Sequence, residues 1–323
     1  MSVPLSVQAQ IVALRRHLNT AVVGQHRLLD RLVISLLTGG HVLVEGLPGL
    51  AKTTAVKALA EGVHARFRRI QFTPDLLPGD LTGSEVYLAD RHEFVFREGP
   101  LFNEIVLADE INRAPAKVQS ALLEAMQEHQ ITVAGVTRAL PPLFMVMATQ
   151  NPLEQAGTYP LPEAQLDRFL LHVVLDYPTP DEELRILQLD RARVRGEVPA
   201  ADHSPVTVET VLAAREEVSA IHIAPELEQF IVQLVGATRS DRGGPEGEGH
   251  IAVGASPRAS LAIARAATAQ AYLEGRDYVA PDDILAVAPD CLRHRVLLSV
   301  QAHVAGVERD AVLQRLIEAV PVP

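Results

Sequence analysis

Short apolar runs alternate with longer segments of helical periodicity over the first half of the chain. Runs of this length suit strands that are buried on both faces, and the segments between them suit helices that connect one strand to the next. We therefore predict an α/β domain with a five-stranded parallel sheet covered by helices. The predicted strands are 41–45, 69–72, 105–108, 144–149 and 172–175, and the predicted helices are 7–18, 25–37, 54–63 and 116–128.

Two segments of the first half alternate with a period of two residues, which is typical of hairpins. Residues 85–96 alternate around a polar tip at 90–92, and residues 130–140 alternate around Ala134-Gly135. Hairpins inserted in an α/β core are either plain solvent-facing connections or contact surfaces for a partner, and the pattern leaves both interpretations open.

The pattern becomes almost wholly helical after residues 177–180. Thr179 is suited to cap a helix that begins at Pro180, because its hydroxyl can accept a hydrogen bond from a free amide of the first turn. We predict a domain boundary near Pro178, with an α/β core over 1–178 and a helical domain over 179–323. The further predicted helices are 208–218, 225–239, 257–273, 281–288 and 308–319, and 241–250 is predicted to be a loop.

A glycine-rich segment joins the first predicted strand to the following helix; it reads Gly46-Leu47-Pro48-Gly49-Leu50-Ala51-Lys52-Thr53-Thr54. Backbone amides of such a loop converge on phosphate oxygens, with Lys52 reaching the outer phosphates and Thr53 holding Mg²⁺. A cation in the first helical turn opposes the helix dipole unless an anion binds there, which favours a phosphate site over a chance glycine turn. Ala51 stands where the usual pattern has glycine, so we expect the loop to give residue 51 a conformation that alanine accepts.

Two adjacent carboxylates, Asp109 and Glu110, follow the third predicted strand. Neighbouring acids at the end of a buried strand repel each other and resist desolvation unless a divalent cation binds there. Asp109 would hold that metal directly or through water, and Glu110 would polarise the water that attacks the terminal phosphate. A lone Asp-Glu pair is often just a solvated strand end, but here the phosphate loop follows another strand of the same predicted sheet, at the edge where ligands bind.

Three further residues are candidates for contacts with the reacting phosphate. Asn151 follows the fourth predicted strand and could orient water or phosphate, although asparagine before proline is equally typical of a turn. Arg258 falls in the first turn of a helix capped by Ser256, where a cation is again unfavourable without an anion. Arg168 precedes the fifth predicted strand, and taken alone it would be an ordinary solvated arginine.

Composition and charge narrow the classes of function. The 323 residues suffice for about two domains, and a hydrophobic content of 48 % allows a sizeable core. A net charge of −11 without runs of lysine or arginine argues against a nucleic-acid or anionic-membrane surface. A single cysteine, Cys291, excludes an intramolecular disulfide. With no signal-peptide pattern and no bilayer-length apolar stretch, we expect a cytoplasmic protein.

In this order, the motifs resemble the MoxR family of AAA+ ATPases. The resemblance extends from about Val22 to the last predicted helix, and Ala51 is normal for that family. It implies an AAA+ P-loop core with a five-stranded parallel sheet, followed by an all-α lid domain. The segments that carry it are GLPGLAKT at 46–53, RIQFTPDLLPGD at 69–80, ADEINRA at 108–114 and GTYPLPEAQLDRF at 157–169.

The resemblance also implies an assembly and a set of roles. Family members form rings, usually hexamers, with ATP between subunits, so Arg168 would act in trans on the neighbouring subunit's ATP. The residues implied to act in cis are Lys52, Thr53, Asp109, Glu110, Asn151 and Arg258. The family is thought to be chaperone-like and to act with partners that carry a von Willebrand factor A domain, which here would be another chain. The two hairpins are candidates for pore or partner contacts, and Arg113 receives no role.

We therefore predict an ATPase that uses Mg²⁺ and ATP in a ring to remodel or mature a partner complex. Backbone groups of the turn Val23-Gly24-Gln25 would lie against the adenine ring. Two alternatives stay open. One is a nucleotide-gated binding scaffold with negligible turnover. The other is a DNA-remodelling ring ATPase, against which the acidic balance and the lack of basic clusters in either hairpin count.

Overall fold

The computed structural model describes residues 5–152, 157–195, 206–240 and 249–323. Its strands are β1 Val42–Glu45, β2 Phe67–Gln71, β3 Gly83–Leu88, β4 Glu93–Glu98, β5 Ile105–Asp109, β6 Gln130–Val133, β7 Val136–Ala139, β8 Met145–Gln150, β9 Leu171–Val174, β10 Ile251–Val253 and β11 Leu297–Leu298. Its α-helices are α1 Val7–Ala21, α2 His26–Thr38, α3 Lys52–Gly62, α4 Pro78–Thr82, α5 Ala116–Glu128, α6 Glu163–Leu166, α7 Pro180–Val194, α8 Val208–Ser219, α9 Pro225–Ser240, α10 Pro257–Leu273, α11 Pro281–Leu292, α12 Val300–Val304 and α13 Arg309–Ala319.

The predicted five-stranded sheet is confirmed, with the strand order β2-β5-β8-β1-β9. The pairs β2–β5, β5–β8 and β8–β1 are parallel. The three inner strands are buried over almost their whole length, which explains their continuous apolar sequences. β2 begins two residues before its predicted start, because it is an edge strand whose exposed Arg68 and Arg69 disguise its first half.

The helix after the first strand sets up the candidate site. α3 begins at Lys52, two residues before its predicted start at 54, so Lys52 and Thr53 both lie in its first turn. α3 packs against α1 and α2, and its buried face includes Val56 and Leu59. The phosphate loop is therefore held between a buried strand and a buried helix.

Both predicted hairpins are confirmed. β3 pairs with β4 and β6 pairs with β7, each antiparallel. Tyr87 and Phe94 stack across the first hairpin with ring centroids 5.2 Å apart, yet both are exposed. The guanidinium of Arg138 in the second hairpin lies 3.9 Å from the centre of the Phe96 ring in the first. The two hairpins thus contact each other, and their role in binding a pore substrate or partner stays a prediction.

The chain divides into two compact units. The first comprises Met1–Leu161 with Val173–Leu212, and the second comprises Pro162–His172 with Ala213–Pro323. These units do not end at residue 178, since the first unit includes α7. The predicted domain boundary near Pro178 therefore stays a prediction. α7 and the residues before it pack close to the turn at Gly24, in the same unit. A Cβ atom at position 24 would lie at ordinary van der Waals distance from Pro178 and Glu182.

The second unit is built mainly of helices, as predicted for the lid. α10 packs against α11 and α9, and α13 packs against α9 and α11. It also contains an antiparallel ribbon, β10 with β11, which is too short to leave an alternating pattern in the sequence. α11 continues through Pro289 to Leu292, so its predicted end at 288 was wrong. Proline usually interrupts a helix, but Pro289 lies inside the last turn and the helix continues past it.

The capping threonine is confirmed at the start of α7. The Thr179 hydroxyl accepts from the Glu182 N–H at 3.4 Å, and the Thr179 N–H donates in return to Glu182 Oε2 at 2.8 Å. Most of the loop predicted at 241–250 lies outside the described residues. Among the described helices, none is both long enough and apolar enough to cross a membrane.

Candidate functional site

The phosphate loop leaves β1 at Gly46 and enters α3 at Lys52. The Lys52 ammonium donates a hydrogen bond of 2.7 Å to the Gly46 carbonyl oxygen, so the side chain folds back over the loop. Burial lowers the pKa of Lys52, while the carboxylates of Asp109 and Glu110 act in the opposite direction. A partly desolvated ammonium beside a helix N-terminus is a site that an anion would stabilise.

Ala51 takes the conformation that the sequence reasoning expected it to avoid. Its φ is +56° and its ψ is 19°, which is the left-handed region. That conformation costs a non-glycine residue about 1–2 kcal/mol. The expectation was wrong because the chain must turn at residue 51 from the loop into a helix that already begins at Lys52. The strain lies within the proposed phosphate cradle, where strained backbone is often functional.

The acidic pair is held by Thr149 of the neighbouring strand β8. The Thr149 hydroxyl donates to Asp109 Oδ1 at 2.5 Å and accepts from the Glu110 N–H at 2.9 Å. Thr149 is fully buried. Glu110 has a φ of +58°, so the chain turns sharply after β5. One hydroxyl thereby fixes the carboxylate of one acid and the backbone of the other.

Strand β2 supplies two polar side chains that the sequence reasoning missed. Arg69 Nη2 lies 2.6 Å from Asp109 Oδ2, and Gln71 Nε2 donates to Glu110 Oε2 at 2.6 Å. Arg113, which had no predicted role, pairs with the same Glu110 oxygen through Nε at 3.1 Å. The sequence does contain one pattern that could have predicted the contacts of Arg69 and Gln71. Residues two apart on a strand share a face, so these two side chains point to the same side of the sheet.

These elements line one cleft of about 350 Å³. The cleft therefore brings together the phosphate loop, the acidic pair and Asn151, as predicted. The residues that line it are Pro48, Gly49, Ala51, Lys52, Thr53, Thr54, Arg69, Asp109, Glu110 and Asn151. Of the remaining predicted loop residues, Gly46 offers its carbonyl to Lys52 and Leu50 is buried.

The other predicted site residues lie elsewhere in the described structure. Val23 and Gln25 flank a turn at Gly24, whose φ is +78°, and the three are not among the residues that line the cleft as described. Arg168 and Arg258 belong to the second unit, which is described by itself. The adenine contact and the two arginine roles therefore stay predictions.

Arg258 lies where the sequence places it, in the first turn of α10. The Ser256 hydroxyl caps this helix by accepting from the Arg258 N–H at 3.2 Å. The Arg258 side chain is 57 % exposed, and its Nη1 lies 3.6 Å from Asp167 Oδ2. Arg168 is half-buried just before β9.

The cleft fits a magnesium nucleotide by the chemistry of its donors. The Thr53 hydroxyl and the Asp109 carboxylate are hard oxygen ligands, which Mg²⁺ prefers. Within the part of the chain that the structure describes, no cluster of three or more His, Cys, Asp or Glu could hold a metal alone. Mg²⁺ seldom uses an all-protein cage, so one carboxylate, one hydroxyl and the phosphates of a nucleotide would suffice to hold it.

A strand, a phosphate loop, a helix and an acidic pair on a nearby strand define the P-loop class of nucleotide-binding proteins. The family model for ATPases associated with various cellular activities (AAA) matches residues 41–171, and the AAA lid domain model matches residues 248–316. Chaperone MoxR1 of Mycobacterium tuberculosis is 44 % identical over 304 residues, which cover 94 % of this chain and 79 % of that protein.

Two further comparisons agree. Protein MoxR of Methylorubrum extorquens is 32 % identical over 328 residues, covering 95 % of this chain and 94 % of that protein. A crystal structure from Cytophaga hutchinsonii, described there as a proposed ATPase, superposes with a TM-score of 0.88 at 42 % identity, covering 98 % and 96 % of the two chains. The chain belongs to the MoxR family of AAA+ ATPases.

Thr149→Val should destabilise the protein by about 1–3 kcal/mol, because it leaves the Glu110 N–H and one Asp109 oxygen without their buried partner. Urea denaturation monitored by circular dichroism measures this change. The matched control is Thr132→Val, since the Thr132 hydroxyl pairs with Thr137 on an exposed hairpin and its loss should cost less than about 0.5 kcal/mol. Equal losses in the two variants would contradict the bridging role of Thr149.

Proposed function

We propose that this chain is a Mg²⁺-dependent ATPase that hydrolyses ATP to ADP and phosphate in a ring of subunits. The observation that carries the proposal is the single cleft in which Lys52, Asp109, Glu110 and Asn151 meet. A phosphate loop alone supports binding, whereas an acid next to the proposed metal ligand supports hydrolysis.

In this proposal each side chain has one task. The loop amides and the Lys52 ammonium bind the phosphates, and Thr53 with Asp109 holds Mg²⁺, which when bound supplies positive charge to the phosphate oxygens. Glu110 accepts the proton of the attacking water on its carboxylate, and Asn151 orients that water or the terminal phosphate. Arg258 in cis and Arg168 from the neighbouring subunit stabilise the negative charge that develops during transfer.

In this proposal, contacts of the acidic pair with neighbouring side chains restrain ATP turnover before nucleotide binds. Glu110 Oε2 is engaged by both Gln71 and Arg113, and Asp109 is engaged by Arg69. A carboxylate oxygen that already accepts from an amide and a guanidinium is not free to accept a hydrogen bond from the attacking water. We propose that these contacts are exchanged for contacts with metal and water when MgATP binds.

The same contacts favour a second candidate, a nucleotide-gated scaffold with negligible turnover. If Glu110 kept both partners after ATP bound, the protein would bind nucleotide and change its affinity for a partner without hydrolysing it. Tight ATP binding with no phosphate release, even in the presence of a partner, would support the scaffold over the ATPase.

We further propose that the subunits form a ring of six, and that the cycle of ATP binding and hydrolysis in this ring remodels or matures a partner complex. The remodelling part of this proposal is supported by the name of one MoxR relative, which is called a chaperone. A protein with a von Willebrand factor A domain is the proposed partner. Sedimentation with and without ATP tests the ring, and a pull-down with a hydrolysis-deficient variant tests the partner.

Metal removal tests the proposed reaction. With Mg²⁺ and ATP, the purified protein should release phosphate steadily; EDTA should stop the release, and excess Mg²⁺ should restore it, because the phosphate charge is no longer compensated without the metal. Lys52→Ala should abolish release as well. Lys57→Ala is the matched control on the same helix, since Lys57 is exposed and pairs with the equally exposed Glu61 at 3.7 Å. Absence of release by the wild type at every Mg²⁺ concentration would contradict the proposal.

A further inference from the structure

Three side chains of the second unit converge on the carboxylate of Asp167, the residue directly before Arg168. Arg295 donates through Nε to Asp167 Oδ1 at 2.7 Å. Ser256 donates through its hydroxyl to Oδ2 at 3.2 Å, and Arg258 Nη1 lies 3.6 Å from the same oxygen. One carboxylate is thus linked both to Arg258 and, through the chain, to Arg168.

Arg295 does more than neutralise Asp167. Its side chain is only 3 % exposed, and its guanidinium also donates to the carbonyl oxygens of Asp167 at 3.2 Å, Phe169 at 2.6 Å and Leu170 at 3.2 Å. These carbonyls lie on both sides of Arg168 in the chain. The neighbouring His294 contacts the Phe169 carbonyl through Nε2 at 2.9 Å. The backbone that carries Arg168 is therefore fixed from the short 3-10 helix Arg293–Arg295.

A purely stabilising ion pair would not need this arrangement. Arg276 and Asp283 in the same unit form such a pair, with two short contacts of 2.7 and 2.6 Å. Among the described residues, neither of them contacts Arg168 or Arg258. The planar guanidinium of Arg295 instead directs most of its hydrogen bonds to the segment around the half-exposed Arg168, and one further bond goes to the Cys291 carbonyl oxygen. The weak contact between Asp167 and the exposed Arg258 leaves that side chain oriented but easily released.

We propose that Asp167 and Arg295 are positioning residues for phosphoryl transfer. Arg295 fixes the backbone that presents Arg168, and Asp167 orients Arg258 by its charge. The inference rests on the proposed ATPase function, and it adds that the trans-acting and cis-acting arginines are set by a shared carboxylate. Catalytic groups lose much of their effect when they are displaced by even about 1 Å, so loosening this cluster should slow the reaction without removing a reacting group.

The test compares two Arg–Asp pairs of the same unit. Asp167→Asn and Asp283→Asn should both lower the melting temperature, because the first leaves the buried Arg295 and the second the partly buried Arg276 without its anion. Only Asp167→Asn should lower kcat for phosphate release, by about 10- to 100-fold, with little change in ATP affinity. Arg295→Lys, which keeps the charge but loses the planar fork, should give the same loss of kcat, and it serves if Asp167→Asn does not fold.

A second measurement separates positioning from an independent effect on the reaction. In an Arg168→Ala, Arg258→Ala background, Asp167→Asn should cause no further loss of single-turnover rate, because the residues through which it acts are gone. A further loss as large as in the wild type would overturn the inference, as would equal kcat values for Asp167→Asn and Asp283→Asn. An inactive wild type would overturn the ATPase proposal itself, whereas an active wild type with an unaffected Asp167→Asn variant overturns only the positioning role.

Discussion

Glu110→Gln should lower the rate of phosphate release at least ~100-fold while ATP still binds, since a general base contributes about 10²- to 10⁴-fold to such a reaction. Glutamine has nearly the same shape as glutamate, but it cannot accept the proton of the attacking water. The phosphate-binding residues, Lys52 and the loop amides, are unchanged. The variant should therefore accumulate in the ATP-bound state and should also trap partner proteins.

The measurement pairs steady-state phosphate release with ATP binding by calorimetry. Glu124→Gln is the matched control, because Glu124 is exposed on α5 and the same chemical change there should leave both quantities near wild type. A Glu110→Gln variant that hydrolyses ATP at the wild-type rate would remove Glu110 from the reaction. Loss of ATP binding in this variant would instead assign Glu110 to the nucleotide site.

Arg168→Ala should lower kcat by about 10³-fold or more, the magnitude by which an arginine that neutralises charge in phosphoryl transfer accelerates the reaction. Arg168 is expected to reach the ATP of the neighbouring subunit, so the variant should bind ATP in its own cleft normally. The defect should concern the chemical step and not nucleotide affinity.

The control for this prediction is Arg265→Ala, which removes an exposed arginine from α10 in the same unit. Phosphate release and sedimentation with ATP are measured for both variants, so that loss of the ring is distinguished from loss of the reaction. An Arg168→Ala ring that turns over at the Arg265→Ala rate would contradict the finger role.

The five-stranded sheet was predictable because its inner strands are buried on both faces and therefore carry uninterrupted apolar runs. β5 and β8 were found this way to within one residue at each end. β2 was found less accurately, since as an edge strand it mixes arginines with apolar residues. The ribbon β10–β11 left no signal, because strands of two or three residues are too short for a pattern.

The candidate site was predictable where chemistry is local in sequence. The phosphate loop and the acidic pair are contiguous motifs, and the rule that parallel strands end at the same edge brought them together. Thr149, Arg69 and Gln71 were missed because their roles depend on strand order. Nothing local shows that β8 and β2 flank β5, and only that order places these side chains against Asp109 and Glu110.

Ala51 gives the opposite lesson. The sequence shows an alanine where the usual pattern has glycine, and alanine's intrinsic preference suggested a relaxed backbone. The structure keeps the left-handed conformation and accepts its cost. The turn that leads the chain into α3 thus outweighs the local preference of one residue.

The most direct test of ATP hydrolysis between subunits mixes the two inactive variants, Glu110→Gln and Arg168→Ala, in equal amounts and measures phosphate release. If each reaction needs Glu110 from one subunit and Arg168 from its neighbour, randomly mixed rings should recover about a quarter of the wild-type rate, because about one interface in four carries both residues. Co-purification of differently tagged subunits verifies that mixed rings form. If such mixed rings stay as inactive as either variant alone, hydrolysis between subunits is contradicted.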